Sequence, residues 1–129
     1  MDKPAVPILI IDDDADTISA LETALMKEGY SPTACLNLHS ATEYLAKEEP
    51  AIVFLDYFLA GDNPAQFVRE AKAKYPDLLI VLMTGAHNAA QCASNIGLAF
   101  YLQKPFDLGQ FLTVLERALG RRELPIGAS

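Results

Sequence analysis

The stretch ILIIDDD, residues 8–14, decides the fold. Four apolar residues followed at once by three aspartates are typical of a strand that is buried on both faces and ends at a polar rim. Three further apolar runs have the same character: IVFL at 52–55, LLIVLM at 78–83 and AFYL at 99–102. Because none of them alternates with polar residues, they predict strands of a parallel sheet that is covered by helices.

The segments between these runs carry apolar residues at helical spacing. The clearest is the leucine-rich stripe from Leu108 to Leu119, which follows Asp107, a residue type that often caps helices. Other helices are expected around 18–25, 42–47, 64–71 and, least clearly, 88–95, and an edge strand interrupted by Pro32 is expected at 30–36. The pattern predicts an α/β fold: a single (βα)5 doubly wound domain whose five-stranded parallel sheet has helices on both faces.

Length, composition and charge narrow the class of protein. The 129 residues fit one domain, and we expect it to span residues 1–120, with residues 121–129 as a C-terminal tail or the start of a linker. No apolar run approaches the roughly 20 residues that cross a bilayer, and the N-terminus does not resemble a signal peptide. We therefore expect a cytoplasmic protein that does not bind membranes. A net charge of −7 also argues against nucleic-acid binding.

Polar residues follow the predicted strands at the point where each strand ends. Asp12 and Asp13 follow the first strand, Asp56 the third, Thr84 the fourth, and Lys104 comes just after the fifth. The carboxyl ends of parallel strands share one edge of the sheet, where ligands collect. Carboxylates gathered there repel each other unless a cation neutralises them, and Mg²⁺ prefers such oxygen ligands. The sequence therefore predicts a magnesium site.

The chemistry of these side chains points to phosphoryl transfer. The Asp56 carboxylate can attack phosphorus and form an aspartyl phosphate. Lys104 offers a positive charge to phosphoryl oxygens, and Thr84 offers a hydroxyl donor. Asp14 and Asp16 are better explained as residues at the start of a helix. Cys35 and Cys92 lack metal-ligand spacing, and we expect two reduced, partly buried thiols.

Four ordered motifs resemble the response-regulator receiver family: ILIIDDD at 8–14, VFLD at 53–56, VLMTG at 81–85 and YLQKPF at 101–106. The resemblance covers about residues 8–119 and implies the flavodoxin-like receiver fold. It also implies that the domain is a signalling switch rather than an enzyme, one that takes a phosphoryl group from a phosphohistidine donor onto Asp56. The donor would be a sensor histidine kinase or a histidine phosphotransfer protein.

The resemblance also assigns roles to single residues. It implies that Asp13 binds Mg²⁺ directly, that Asp12 acts through water, and that the backbone carbonyl of Phe58 completes the site; Mn²⁺ could replace Mg²⁺. Tyr101 would follow Thr84 as a switch residue. A cis peptide is expected before Pro105, where it costs little energy.

A downstream protein or output domain would bind at the face of the fourth helix, fifth strand and fifth helix. The loop after Asp56 departs from the family pattern at Ala60 and Pro64. The segment between Thr84 and Lys104, which holds the fourth helix of this signalling face, is about two residues shorter than is usual in the family.

Two other functions fit parts of the sequence. A receiver-like interaction module that takes no phosphate would keep the fold, although the complete set of rim residues argues against it. A phosphohydrolase of the haloacid-dehalogenase type could use the pair Asp12 and Asp14, but it would leave Asp56 without a role and needs further acidic residues after Lys104.

Overall fold

The computed structural model describes residues 5–59 and 63–123. Strands and helices alternate strictly along these residues. In chain order they are β1 Pro7–Ile11, α1 Ala15–Lys27, β2 Ser31–Cys35, α2 Leu38–Lys47, β3 Ile52–Asp56, α3 Pro64–Lys74, β4 Leu79–Thr84, α4 Ala89–Asn95, β5 Phe100–Gln103 and α5 Leu108–Glu123.

The five strands form one parallel sheet in the order β2-β1-β3-β4-β5. β1 is the second strand from one edge of the sheet; the chain moves outward from it to β2 and then crosses back over β1 to β3. The direction of winding therefore reverses between β1 and β3, where the carboxyl ends of two neighbouring strands open a crevice. The predicted doubly wound parallel fold is confirmed.

Each face of the sheet has its own hydrophobic core. Side chains alternate along the strands, so that Leu9 and Ile11 join one cluster while Ile8 and Ile10 join the other. The first cluster includes residues of α2, α3 and α4, and the second includes residues of α1 and α5. In the second core the rings of Phe54 and Phe111 lie 4.5 Å apart. The two cores hold the sheet rigidly beneath its rim.

The boundaries of several elements differ from the prediction. The prediction that α2 starts near residue 42 was wrong: it begins at Leu38, because the Asn37 side chain caps it by accepting a 2.8 Å hydrogen bond from the Ser40 N–H. The weakest candidate, 88–95, does form a helix, as Ala89–Asn95. α5 continues to Glu123, beyond Leu119, the last residue of its predicted apolar stripe. The division into domain and tail stays a prediction, and residues 124–129 lie outside the described part of the chain.

Two smaller features of the sequence can be placed in the structure. Gly29, just after the C-terminal end of α1, has φ +88°, a conformation that glycine adopts without strain. Cys35 and Cys92 are free and buried. The departure at Ala60 lies outside the described residues. Within those residues, none of the helices has the length and apolar character needed to cross a bilayer.

Candidate functional site

The rim of the sheet brings the predicted site residues together. Asp12 directly follows β1, and its N–H extends the strand pairing by donating to the Cys35 carbonyl at 3.1 Å. Asp56 is the last residue of β3 and Thr84 the last of β4. Lys104 follows β5, and its N–H donates to the Thr84 carbonyl at 2.7 Å. Regular strand pairing therefore fixes where each side chain leaves the backbone.

Three carboxylates form a cluster at this rim. Asp12, Asp13 and Asp56 each offer an oxygen, and these oxygens lie within 4.8 Å of one another. Asp12 and Asp56 are buried, whereas Asp13 is exposed. The Asp12 oxygens already have partners: one accepts from the Asp14 N–H at 2.9 Å and the other from Lys104 at 2.9 Å. Asp13 is thus the cluster member most open to solvent.

The Lys104 ammonium bridges the two buried carboxylates. Its Nζ lies 2.9 Å from Asp12 Oδ2 and 3.5 Å from Asp56 Oδ1. Burial opposes the charge of this lysine, but the hydrogen bond to Asp12 and the charges of Asp56 and Asp12 outweigh that effect and raise the lysine pKa. The pairing with Asp12 was not predicted from the sequence, because nothing in the local pattern says which way a lysine beyond a strand end will turn.

The pKa of Asp56 is set by its burial and by the neighbouring charges of Lys104 and Asp12. Burial raises the pKa of its carboxyl; the Lys104 charge opposes that rise and the Asp12 charge adds to it. The backbone N–H of Phe58 points back to Asp56 Oδ1 at 3.4 Å. Asp56 is therefore a buried carboxylate beside a cation, which is an environment suited to a reacting group.

Asp14 belongs to helix α1 instead of the cluster. It is the N-cap residue, and its side chain accepts from the Asp16 N–H at 3.2 Å and from Thr17 Oγ1 at 2.7 Å. The hydrogen bond from Thr17, followed by the one from Asp16, lowers the pKa of Asp14. Asp16 lies exposed in the first turn. The expectation that both acids serve the helix start agrees with these contacts.

The two expected switch residues differ in exposure. Thr84 is fully buried, and its hydroxyl oxygen accepts from the Ala86 N–H at 3.1 Å. Tyr101 on β5 is 43% exposed and so faces solvent. The ring of Phe58 is 62% exposed and packs edge-on against Tyr57 at 4.9 Å. The peptide between Lys104 and Pro105 is cis, as expected.

The cluster fits a divalent metal ion in charge and in donor type. Three carboxylates and the single ammonium of Lys104 give the cluster a net charge of −2. One Mg²⁺ ion would neutralise that charge. All the donors are oxygens, and Mg²⁺ prefers oxygen ligands while keeping several waters. The open position of Asp13 leaves room for such a hydrated ion.

The sequence and structure both match known proteins. Residues 8–116 match the family model described as the response regulator receiver domain. The chain is 31% identical over 115 residues to the DNA-binding transcriptional regulator NtrC of Escherichia coli K12, covering 87% of this chain and 24% of that protein. It is 29% identical over 116 residues to the nitrogen assimilation regulatory protein NtrX of Azorhizobium caulinodans, covering 87% and 26%.

A crystal structure of a two-component response regulator from Clostridium difficile superposes with a TM-score of 0.83 at 25% identity, covering 92% of this chain and 99% of that one. The chain spans about a quarter of the length of the curated relatives named above. Fold, rim and family match agree over nearly the whole described chain, and the chain belongs to the family of response regulator receiver domains.

Proposed function

We propose that this receiver domain accepts a phosphoryl group on Asp56 from a phosphohistidine donor, in a reaction that depends on Mg²⁺ (or Mn²⁺). The observation that carries the proposal is the position of Asp56: a buried carboxylate at the centre of the rim, 3.5 Å from the Lys104 ammonium and within the acidic cluster. Receiver domains are signalling switches of two-component systems and bind Mg²⁺ at an acidic pocket.

In the proposed reaction an Asp56 oxygen attacks phosphorus in line with the departing imidazole nitrogen of the donor. Lys104 turns from Asp12 toward the phosphoryl oxygens and offsets their charge. The Thr84 hydroxyl donates a hydrogen bond to the same group. Asp12, Asp13, Asp56 and the Phe58 carbonyl would hold the metal ion, which supplies further positive charge to the phosphoryl oxygens when bound.

Phosphorylation would then change the surface of the domain. Moving the Thr84 side chain toward the phosphoryl group breaks its contact with the Ala86 N–H, which now measures 3.1 Å. It also vacates space beside β5, which Tyr101 can fill by turning inward from its exposed position. The shift in population between two arrangements would alter the face formed by α4, β5 and α5, where an output domain or partner binds.

The relatives supply the context for partners. Proteins named NtrC and NtrX are regulators about four times as long as the matched segment, so the activity of a whole regulator is not carried over to this chain. A sensor histidine kinase or a histidine phosphotransfer protein remains the proposed donor. Location in the cytoplasm, and the lack of direct binding to nucleic acid or membrane, stay predictions from the sequence.

The proposal is tested by labelling with acetyl phosphate in Mg²⁺. Wild type should take up one phosphoryl group, and Asp56→Asn should take up none, because the amide has nearly the same shape but is not a nucleophile. Asp16→Asn, which changes an exposed acid near the rim, is the matched control and should label like wild type. Full labelling of Asp56→Asn would refute the assignment of the acceptor.

The labelling experiment, together with an assay of phosphate-ester hydrolysis, separates the alternatives. An interaction module without phosphorylation predicts no label on wild type. A phosphohydrolase predicts continued turnover of a generic phosphate ester instead of one stoichiometric label. The contacts of Asp14 speak against the second alternative, since its side chain is engaged in capping α1.

A further inference from the structure

Lys104 lies in the short loop between β5 and α5, which comprises residues 104–107. From there its ammonium has to reach two carboxylates of other strands, at 2.9 Å from Asp12 Oδ2 and 3.5 Å from Asp56 Oδ1. A lysine side chain is a flexible stem of four carbons. It holds its ammonium in one place only if the backbone from which it starts is itself fixed. The contacts that fix this loop therefore bear on the site.

The hydrogen bonds that hold the loop within the described chain lie at its two ends. At the start, the Lys104 N–H donates to the Thr84 carbonyl at 2.7 Å. At the end, Asp107 and Gln110 form a capping box: the Gln110 N–H donates to Asp107 Oδ1 at 2.7 Å, and the Asp107 N–H donates to Gln110 Oε1 at 2.9 Å. Pro105 has no N–H to donate. The middle of the loop therefore depends on the packing of side chains.

The ring of Phe106 supplies that packing. It stacks on Phe111 of α5, with centroids 6.2 Å apart and an angle of 14° between the ring planes. Phe111 packs in turn against Phe54 at 4.5 Å, and both of these rings are fully buried. Phe54 lies two residues before Asp56 on β3. Three rings thus connect the strand that ends in Asp56 to the loop that carries Lys104.

Open grooves lie on both sides of Phe106. One groove, of about 650 Å³, lies between α1 and the loop and is lined by Leu21 and Lys104 as well as by Phe106. The other, of about 550 Å³, runs along β5 and α5 past Tyr101. Because the ring is only partly buried and has open space on both sides, its stack on Phe111 is what fixes it. Stacked aromatic pairs have a preferred geometry, so the stack also fixes the direction of the loop.

We propose that Phe106 is a positioning residue for Lys104: by stacking on Phe111 it anchors the loop from which the ammonium reaches Asp12 and Asp56. Without the ring the loop moves, and the ammonium loses its fixed distance to both carboxylates. The inference rests on the proposed function where it concerns phosphoryl transfer, because Lys104 is there the group that meets the phosphoryl oxygens. The position of the ammonium in the unphosphorylated protein does not depend on that function.

A double-mutant cycle, measured by urea unfolding of the full chain, tests the positioning without phosphorylation. Lys104→Met removes the ammonium from Asp12. It should raise the equilibrium constant for unfolding at least about threefold less in Phe106→Ala than in the wild-type background, because there the ammonium is no longer held in place. If the effects of the two substitutions simply add, Phe106 only fills space and the proposal is overturned.

Two further variants separate positioning from loss of packing. Phe106→Tyr keeps the ring, so Lys104→Met should cost as much in that background as in wild type. Phe100→Ala removes another partly buried ring of the same core, at the start of β5, and its effect should add to that of Lys104→Met. Coupling of equal size with Phe100→Ala would overturn the proposal. Should Phe106→Ala be too unstable for the cycle, Phe106→Leu, which keeps apolar volume but not the flat ring, takes its place.

Labelling with acetyl phosphate in saturating Mg²⁺ tests the consequence for the reaction. Phe106→Ala should take up the label roughly fivefold more slowly than wild type, the effect of weakening one hydrogen bond to a developing charge. Its Mg²⁺ affinity, measured by calorimetry, should not fall, and Phe106→Tyr and Phe100→Ala should label like wild type. Slow labelling that goes with weaker Mg²⁺ binding would mean that the whole cluster is disturbed, which overturns the proposal. If wild type takes up no label, the proposed function fails, and the unfolding cycle alone decides the role of Phe106.

Discussion

The Lys104 ammonium is bonded to the Asp12 carboxylate at 2.9 Å, across 92 residues of sequence. Asp12 is fully buried, so it depends on this cation for compensation of its charge. Lys104→Met should therefore lower the free energy of unfolding by about 1–3 kcal/mol, the cost of leaving a buried polar group without its partner. Urea unfolding of wild type and variant measures the loss.

Lys104→Met should lower stability but should not weaken Mg²⁺ binding. Removing the ammonium leaves three negative charges at the cluster instead of two, so Mg²⁺ should bind Lys104→Met at least as tightly as wild type and recover part of the lost stability. Lys47→Met, an exposed lysine of α2, should change stability by less than about 0.5 kcal/mol. Weaker Mg²⁺ binding in Lys104→Met would contradict the charge argument.

Two neighbouring aspartates should respond differently to substitution. Asp13 belongs to the carboxylate cluster, whereas Asp16 lies in the first turn of α1. Asp13→Asn should weaken Mg²⁺ binding, measured by calorimetry, roughly tenfold or more, because a ligand and a charge are both lost. Asp16→Asn should leave it within about twofold, since a solvent-exposed charge is screened by salt. Equal losses of Mg²⁺ affinity in the two variants would mean that Asp13 is not a ligand and that both acids only contribute negative charge near the site.

Features that depend on a local sequence pattern could be predicted, whereas contacts between distant elements could not. Asp12, Asp56 and Thr84 could be placed at one rim because strands buried on both faces are continuous apolar runs, and the residue after each run must fall at the sheet edge. The start of α2 was misplaced although the sequence held both signals for it: Leu38, Ala41 and Leu45 recur at helical spacing, and Asn37 is a residue type that caps helices. The hydrogen bond that Lys72 of α3 donates to the carbonyl of Gly97, just after α4, could not be predicted either. It joins two elements whose relative placement is set by packing on the sheet, not by any local pattern.

Tyr44 should respond to pH in a direction set by its burial. Burial, followed by the neighbouring Glu48 carboxylate, raises the pKa of its phenol to about 12 from an ordinary value of 10. The folded state thus favours the neutral phenol, a contribution that is complete below pH 10 and is lost as pH rises toward 12. Tyr44→Phe removes this dependence, so wild type should lose stability relative to the variant between these two pH values, as measured by urea unfolding.

At neutral pH the same substitution should cost little. Glu48 and Thr33 lie near enough to the Tyr44 hydroxyl to shift its pKa, but among the described residues the hydroxyl makes no hydrogen bond of good geometry. Tyr44→Phe should therefore be neutral or stabilise by up to about 1 kcal/mol. Tyr75→Phe is the matched control: its hydroxyl donates to the Leu45 carbonyl at 2.6 Å, and its loss should destabilise by about 1 kcal/mol. A larger loss in Tyr44→Phe than in Tyr75→Phe would show that the Tyr44 hydroxyl is bonded in solution.

The last prediction concerns how long the phosphoryl group survives on Asp56. Hydrolysis requires a water that is oriented for attack. Phe58, two residues after the acceptor, has a ring that is 62% exposed and offers no hydrogen bond, and Ala86, two after Thr84, offers no side-chain donor or acceptor. An imidazole can assist a water, but His87 is exposed in the loop that contains Ala86, and we expect its side chain to be solvated and to take no part in hydrolysis. We expect slow decay of the phosphorylated protein in Mg²⁺.

Phe58→Asn should accelerate that decay, because an amide can hold a water beside the phosphoryl group. One added hydrogen bond of about 1 kcal/mol in the transition state corresponds to roughly fivefold in rate. Phe58→Leu removes the ring without adding a polar group, so it separates the two parts of the argument. If phosphorylated Phe58→Leu decays at nearly the wild-type rate, the slow decay of wild type is due to the missing hydrogen bond. If it decays at nearly the rate of Phe58→Asn, the slow decay is due to obstruction by the ring. His87→Ala should not change the decay. If wild type decays as fast as Phe58→Asn, neither obstruction nor the missing hydrogen bond protects the phosphoryl group.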